Sequence, residues 1–173
     1  MAWEIDPYHS LVEFSVKHLM ISSVKGRFND IHGSIMLDPE HPEYSSVKVQ
    51  IQTASIDTGM AQRDAHLRSA DFFDASKHPI ITFTSTQIKI IGQNRCIVEG
   101  NLTLHGVTNP VALQTIYTGR GPDPFTDAWR IGLHATTSFD RRQFGMEFKQ
   151  DKKGVLMIGF ETLINISIEA IQV

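Results

Sequence analysis

Histidine offers this chain most of its chemical options. His9, His18, His32, His41, His66, His78, His105 and His134 could each ligate a metal or move a proton. They show neither an HExxH pattern nor a clustered ligand spacing, so no metal site and no cofactor are predicted. Asp64 and His66 form the acid-base pair worth weighing as a catalytic couple. Residues two apart on a helix do not face each other, which makes that pair poorly built for proton transfer. Cys96 is the only cysteine, which excludes an internal disulfide and every paired-cysteine zinc site. Its one cationic neighbour is Arg95, too little to argue for a reactive thiolate. No GxSxG elbow, P-loop or GxGxxG run occurs, and Gly119-Arg120-Gly121 lacks both the third glycine and a strand-turn-helix setting. A non-enzymatic protein is predicted. An enzyme working on a small or lipid substrate is the alternative.

The elements that must carry these residues read as strands. Ile, Val and Thr number 42 against 20 Leu and Ala, and β-branched side chains suit a pleated surface. Alternation marks Leu11 to His18, where Val12, Phe14, Val16 and His18 share one face. It marks Ile31 to Asp38 and Val47 to Gln52 in the same way. It resumes at Ile80 to Ile90, Cys96 to Leu104, Val111 to Thr118 and Trp129 to Phe139, and it is longest from Leu156 to Glu169. Turn signals at Asp38-Pro39, Gly92-Gln93-Asn94, His105-Gly106 and Gly119 to Pro124 separate these runs. The prediction is an all-β chain: an eight-stranded antiparallel barrel, lipocalin-like, forming one domain over residues 1–173. Thr58 to Phe73 is the exception. Asp57 or Thr58 can cap a helix there, with Arg63, His66 and Leu67 on one side.

A barrel of this size is either packed solid or holds one small ligand. Its inward faces are predicted to present Phe14, Val16, Phe28, Phe83, Trp129, Phe139, Phe144 and Phe160, an apolar tube of the kind that ligand cavities favour. His18 ends the apolar face of its strand and would point inward. Arg63 and His66 on the helix, with Arg141 in a late loop, could supply a polar mouth, and an arginine fork suits phosphate.

Charge and composition remove other classes. Sixteen Lys+Arg against nineteen Asp+Glu give a net charge of −3 without a basic run, so nucleic acid is not a predicted partner. The apolar run 155–160 is far short of the ~18 residues of a membrane span, and no stable membrane insertion is expected. The opening Met1-Ala2-Trp3-Glu4-Ile5-Asp6-Pro7 has no basic and no apolar stretch ahead of its acids. A cytoplasmic location is expected for the chain as written, and a periplasmic one if a leader has been removed. A closed barrel has no edges that demand a partner, so a monomer or a homodimer is expected.

Several segments together resemble the YceI family, the polyisoprenoid-binding, lipocalin-like bacterial proteins. They are Trp3 to Ser10, Phe14 to His18, Val24 to Phe28, Ser55 to Gly59, Arg63-Asp64, His66-Leu67, Asp71 to Asp74, Pro79, and Gly100 to Thr108, with late Arg141, Phe144 and Gly145. The resemblance runs along nearly the whole chain. Asp140, Gln143 and His78 depart from it, standing where the family usually has Asn, Asp and an aromatic. It implies an eight-stranded barrel holding a long isoprenoid, a polyprenyl phosphate or a quinone, as a carrier or store, with a helix beside the mouth.

Overall fold

The computed structural model describes residues 1–149, 151–152 and 155–173. Its strands are β1 (Ala2–Ile5), β2 (Leu11–His18), β3 (Ser22–Phe28), β4 (Ile31–Met36), β5 (Ser46–Gln52), β6 (Ile56–Asp57), β7 (Ile80–Gly92), β8 (Arg95–Leu104), β9 (Val107–Pro122), β10 (Trp129–Asp140), β11 (Asp151–Lys152), β12 (Val155–Leu156) and β13 (Glu161–Gln172). Three pairs are broken halves of single staves. β1 and β2 both run antiparallel to β13, with Trp3 opposite Gln172 and Phe14 opposite Ile164. β3 and β4 follow the same course beside them, and β5 continues into β6. The result is a closed eight-strand antiparallel barrel in which each stave pairs with its sequence neighbour and the last with the first. β11 and β12 form a separate small hairpin.

Closure follows from alternation. Directly opposed residues share a face, so Ile31, Ile51 and Ile81 stand in one inner row and Val49, Phe83 and Leu102 in the next. β3 shows how a strand forms without an apolar stripe. A side chain at Gly26 would place its Cβ 2.3 Å from Cζ of Phe14, so glycine is what lets the Phe14 ring lie across the inner wall.

Chain direction gives the barrel two unlike ends. Residues 18–22, 57–80, 104–107, 140–149 and 155–161 gather at one end, and residues 36–46, 92–95 and 122–129 at the other. The single α-helix among the described residues, α1 (Ala61–Arg68), belongs to the first. It is shorter than the predicted span. Gly59 with φ +80° and an extended Ser69 bound it, and Met60, not Asp57 or Thr58, is its N-cap residue. The Asp64 carboxylate instead reaches back to accept from the Thr58 amide.

The predicted last strand also begins late. Gly159 donates to the Lys17 carbonyl and Ile158 bridges His18, so this stretch crosses the barrel end before β13 starts. β9 and β10 pair from Trp129 opposite Pro122 to Thr136 opposite Gln114, and then separate. There Asn109 donates to the Gln143 carbonyl at 2.7 Å, tying β9 to the short 3-10 turn Arg141–Phe144 that follows β10.

Candidate functional site: an apolar lumen open at one end

The barrel encloses a cavity of about 580 Å³, within the range of ligand pockets. Its wall is almost wholly apolar, with Val49, Phe83, Leu102, Val111, Leu133 and Ile166 around the middle. These side chains face inward yet are only partly buried, apart from Phe83. In a packed core such residues would be fully enclosed. Here the interior leaves part of their surface without neighbours.

The helix end is sealed. Phe28, Phe73, Leu104, Phe139 and Met146 close the lumen, and Phe144 sits against Phe139 with ring centroids 5.0 Å apart. Arg141 is 3% exposed, and its guanidinium donates to the carbonyls of Met146 (2.7 Å), Gly159 (3.0 Å) and Ile158 (3.2 Å). It also lies over the Phe160 ring, 4.7 Å from its centroid. One cation thus ties the chain at Met146, just after the turn that follows β10, to Ile158 and Gly159, the stretch that leads into β13. Asp140 caps the adjoining turn by accepting from the Arg142 amide.

The other end is open. The exposed residues among those lining the cavity are Pro39, Pro42, Ile90, Gly92, Asn94, Arg95 and Arg120, all at the end away from the helix. Arg120 stacks on Trp129 at 4.9 Å, and neither Arg95 nor Arg120 forms an ion pair among the described residues. Asp38, also at this rim, accepts from the amides of Glu40 and His41, and those contacts hold its carboxyl below the usual range. Thr115 hydroxyl donates inside its own strand to Leu113, so the deep wall offers few free polar groups.

These positions correct part of the sequence reading. Phe14, Phe28, Phe83 and Phe139 line the cavity. Val16 lies beyond Phe14 toward the sealed end, Phe144 is buried behind the seal, and Phe160 is stacked under Arg141 and Arg142, so none of these three lines it. Trp129 is 41% exposed and supports Arg120 from the rim.

The residues predicted for a polar mouth lie at the helix end, away from the exposed rim. His18 is exposed beside the bridge to Ile158, and Arg63 donates to the hydroxyl and carbonyl of Thr58. His66 pairs with Asp71 at 2.9 Å, and Arg141 is spent on carbonyls. Asp64 and His66 share no contact, because each is taken up by its own loop partner. Arg95 and Arg120 were missed because each is an ordinary charged residue near a turn. Only strand direction shows that they flank one opening. Burial pushes the Cys96 thiol up, in keeping with an unreactive lining residue.

With this geometry in hand, comparison with known proteins is specific. Residues 3–170 match the YceI-like domain. A UPF0312 protein of Azotobacter vinelandii is 42% identical over 139 residues, covering 80% of this chain and 72% of the relative. The crystal structure of a Campylobacter jejuni YCEI protein aligns with a TM-score of 0.78 at 30% identity, covering 91% of this chain and 90% of that one. A polyisoprenoid binding domain from Saccharophagus degradans shares the fold, with a TM-score of 0.70 at 14% identity over 99% of this chain and 98% of that one. The chain belongs to the YceI-like domain family.

Proposed function

We propose that this protein binds a long-chain isoprenoid or similar amphiphilic lipid, a polyprenyl phosphate or a quinone, in the barrel lumen as a carrier or store. The observation that carries the reading is the incompletely enclosed apolar inner face, continuous from the Phe28–Met146 seal to an open rim. The polyisoprenoid binding domain that shares its fold supports the ligand class. The tail lies along the lumen and the headgroup at the rim, where Arg95 and Arg120 can donate charge-assisted hydrogen bonds.

Energetics favour exchange over trapping. A CH₂ moved from water is worth ~0.8 kcal/mol, but a tail leaving a bilayer starts in surroundings as apolar as the lumen, so its transfer is nearly neutral. Headgroup contacts and shape then set occupancy. Tyr44, Ile90, Ile91, Phe125 and Trp129 are exposed at the same end as Arg95 and Arg120. Aromatic, aliphatic and arginine side chains together suit the interfacial layer of a membrane, so the mouth is equipped to meet a lipid at its source.

Organic extraction of the purified protein followed by mass spectrometry tests the reading. A long apolar molecule in near-equimolar amount is expected. Lipid-free protein that also takes up nothing from vesicles containing polyprenyl phosphate or quinone would overturn it.

A further inference from the structure

At the sealed end, three potential ligands that the sequence scatters come together. Asp74, His78 and His105 each bring one donor atom into a group whose members all lie within 4.8 Å of one another. Asp74 and His78 are four apart, and the Asp74 carbonyl accepts from the His78 amide at 2.9 Å, so a single helical turn sets both side chains on one face. Asp74 has φ +49°, the left-handed conformation that aspartate tolerates better than most residues. His105 arrives from the β8–β9 turn because β7 and β8 pair in register up to Thr82 opposite Thr103. The two imidazoles meet edge to face with centroids 5.2 Å apart. Gly106 provides the space for this, since a Cβ there would lie 2.6 Å from Cε1 of His78.

We propose that Asp74, His78 and His105 bind a first-row divalent cation, zinc by preference, with water completing the coordination. The donor set is two imidazoles and a carboxylate, which suits zinc or a similar borderline cation and not calcium or magnesium. Zinc bonds of ~2.1 Å would draw tetrahedral donors to roughly 3.4 Å apart, so the group needs only small side-chain rotations to close.

His105 is already oriented as a metal-binding histidine usually is. Its Nδ1 lies 2.9 Å from the Phe144 carbonyl, which can only accept, so Nδ1 carries the proton and Nε2 is left as the lone-pair donor. The Asp74 carboxylate and the His78 ring have no hydrogen-bond partner of their own among the described residues.

A second group, Asp6, His9 and Glu169, satisfies the same distance criterion and fails on charge. Arg130 donates to Asp6 at 2.8 Å and to Glu169 at 2.7 Å, so a cation already occupies that place. No lysine or arginine forms an ion pair with Asp74 among the described residues. The proposed metal would staple the segment after α1 to the β8–β9 turn and, through His105 and Phe144, to the turn after β10. Those are parts of the cap that shuts the lumen, and Phe73 beside Asp74 lines the cavity.

The test uses the whole protein, stripped with a chelator and titrated calorimetrically with Zn²⁺ alone, with Co²⁺ absorption as a second readout. Wild type, His78→Phe and His9→Ala are compared. Phenylalanine keeps a ring over Gly106 and removes only the donor. Losing a group that merely orients a metal's ligand weakens metal sites about 10- to 100-fold, so His78→Phe should lose at least about tenfold in Zn²⁺ affinity and the ligand-field bands of Co²⁺. His9→Ala should bind as wild type does, and Zn²⁺ should raise the thermal midpoint of both but not of His78→Phe. Equal binding by wild type and His78→Phe, loss of binding in His9→Ala, or no binding by wild type would each overturn the proposal. Asp74→Asn supplies an independent removal, with the same expected loss, should His78→Phe fold poorly.

Discussion

At the helix end one arginine, Arg141, is buried and hydrogen-bonded to three carbonyls; at the open end another, Arg130, is held by three carboxylates, those of Asp6, Asp123 and Glu169. Carbonyl acceptors do not titrate and carboxylates do. The sealed end is thus fastened by neutral partners in a dry setting, and the open end by a solvent-accessible ionic clip across the seam of β1, β10 and β13. The same residue type fastens a dry cap at one end and a solvent-accessible rim at the other. Arg95 and Arg120, near that rim, have no carboxylate partners among the described residues, and the proposed headgroup would meet them there.

The largest expected effect comes from cutting the sealed end. Arg141→Ala leaves three carbonyls, those of Met146 and Gly159 buried, without their donor, and hydrogen bonds from a charged group are worth about 1.5–3 kcal/mol each, so a loss of 3 kcal/mol or more is expected in urea unfolding. Arg141→Lys should not restore it, since an ammonium cannot fork to three fixed acceptors. A loss under about 0.5 kcal/mol would show that the cap is held by apolar packing alone.

Filling the lumen comes next. Ala135 is a small inward residue midway along β10, and Ala135→Trp should abolish lipid copurification, a loss of at least about a hundredfold, or ~2.7 kcal/mol, in binding. Folding should suffer less than in Arg141→Ala, because the new ring enters space that the fold leaves open.

Acid should separate the two ends. Burial alone would raise the Asp6 carboxyl, but hydrogen bonds from Arg130, His9 and the Tyr8 amide outweigh it and bring it to about 2, against 3.8 ordinarily. The folded value is depressed, so this stabilisation is complete above the unfolded value and is lost as pH falls from about 4 through about 2. A difference of nearly two units corresponds to roughly 2 kcal/mol. Hydrogen exchange should therefore quicken at Ile5, Asp6 and Arg130 before it quickens around Arg141 and Phe144. Simultaneous opening of both ends would contradict the contrast drawn between the two arginines.

The smallest effect is at the mouth. Arg95→Ala and Arg120→Ala should each weaken a polyprenyl phosphate about ten- to a hundredfold and barely touch a quinone of equal tail length, with stability within about 0.5 kcal/mol. Equal losses for both ligands would assign these residues to lumen shape instead of headgroup recognition.

Much of the barrel was legible because period-two alternation is imposed residue by residue, as in Val12, Phe14 and Val16 or Ile164, Ile166 and Ile168. β3 was not, since its inward positions include Gly26, whose role depends on Phe14 across the sheet. Alternation also overreached: Phe160 continues the stripe of β13, but Arg141 draws the carbonyls of Ile158 and Gly159 over the barrel end and takes that stretch out of the strand. Three of the cavity phenylalanines, Phe14, Phe83 and Phe139, were readable from facing alone. Which end is open was not, because that depends on how 140–149 folds across the barrel, and so polar residues at the sealed end were taken for a mouth. The Asp74, His78 and His105 group was equally hidden, with 26 residues between its two histidines and only the β7–β8 register to join them.

The most direct measurement is a crystal structure of the protein loaded with a polyprenyl phosphate. The expected density is a tail threaded past Phe83 and Ile166 toward Phe28 and Phe139, with the phosphate beside Arg95 and Arg120 at the end away from α1. A headgroup beside Arg63 and His66, or a lumen closed by its own side chains with the lipid outside, would contradict the account.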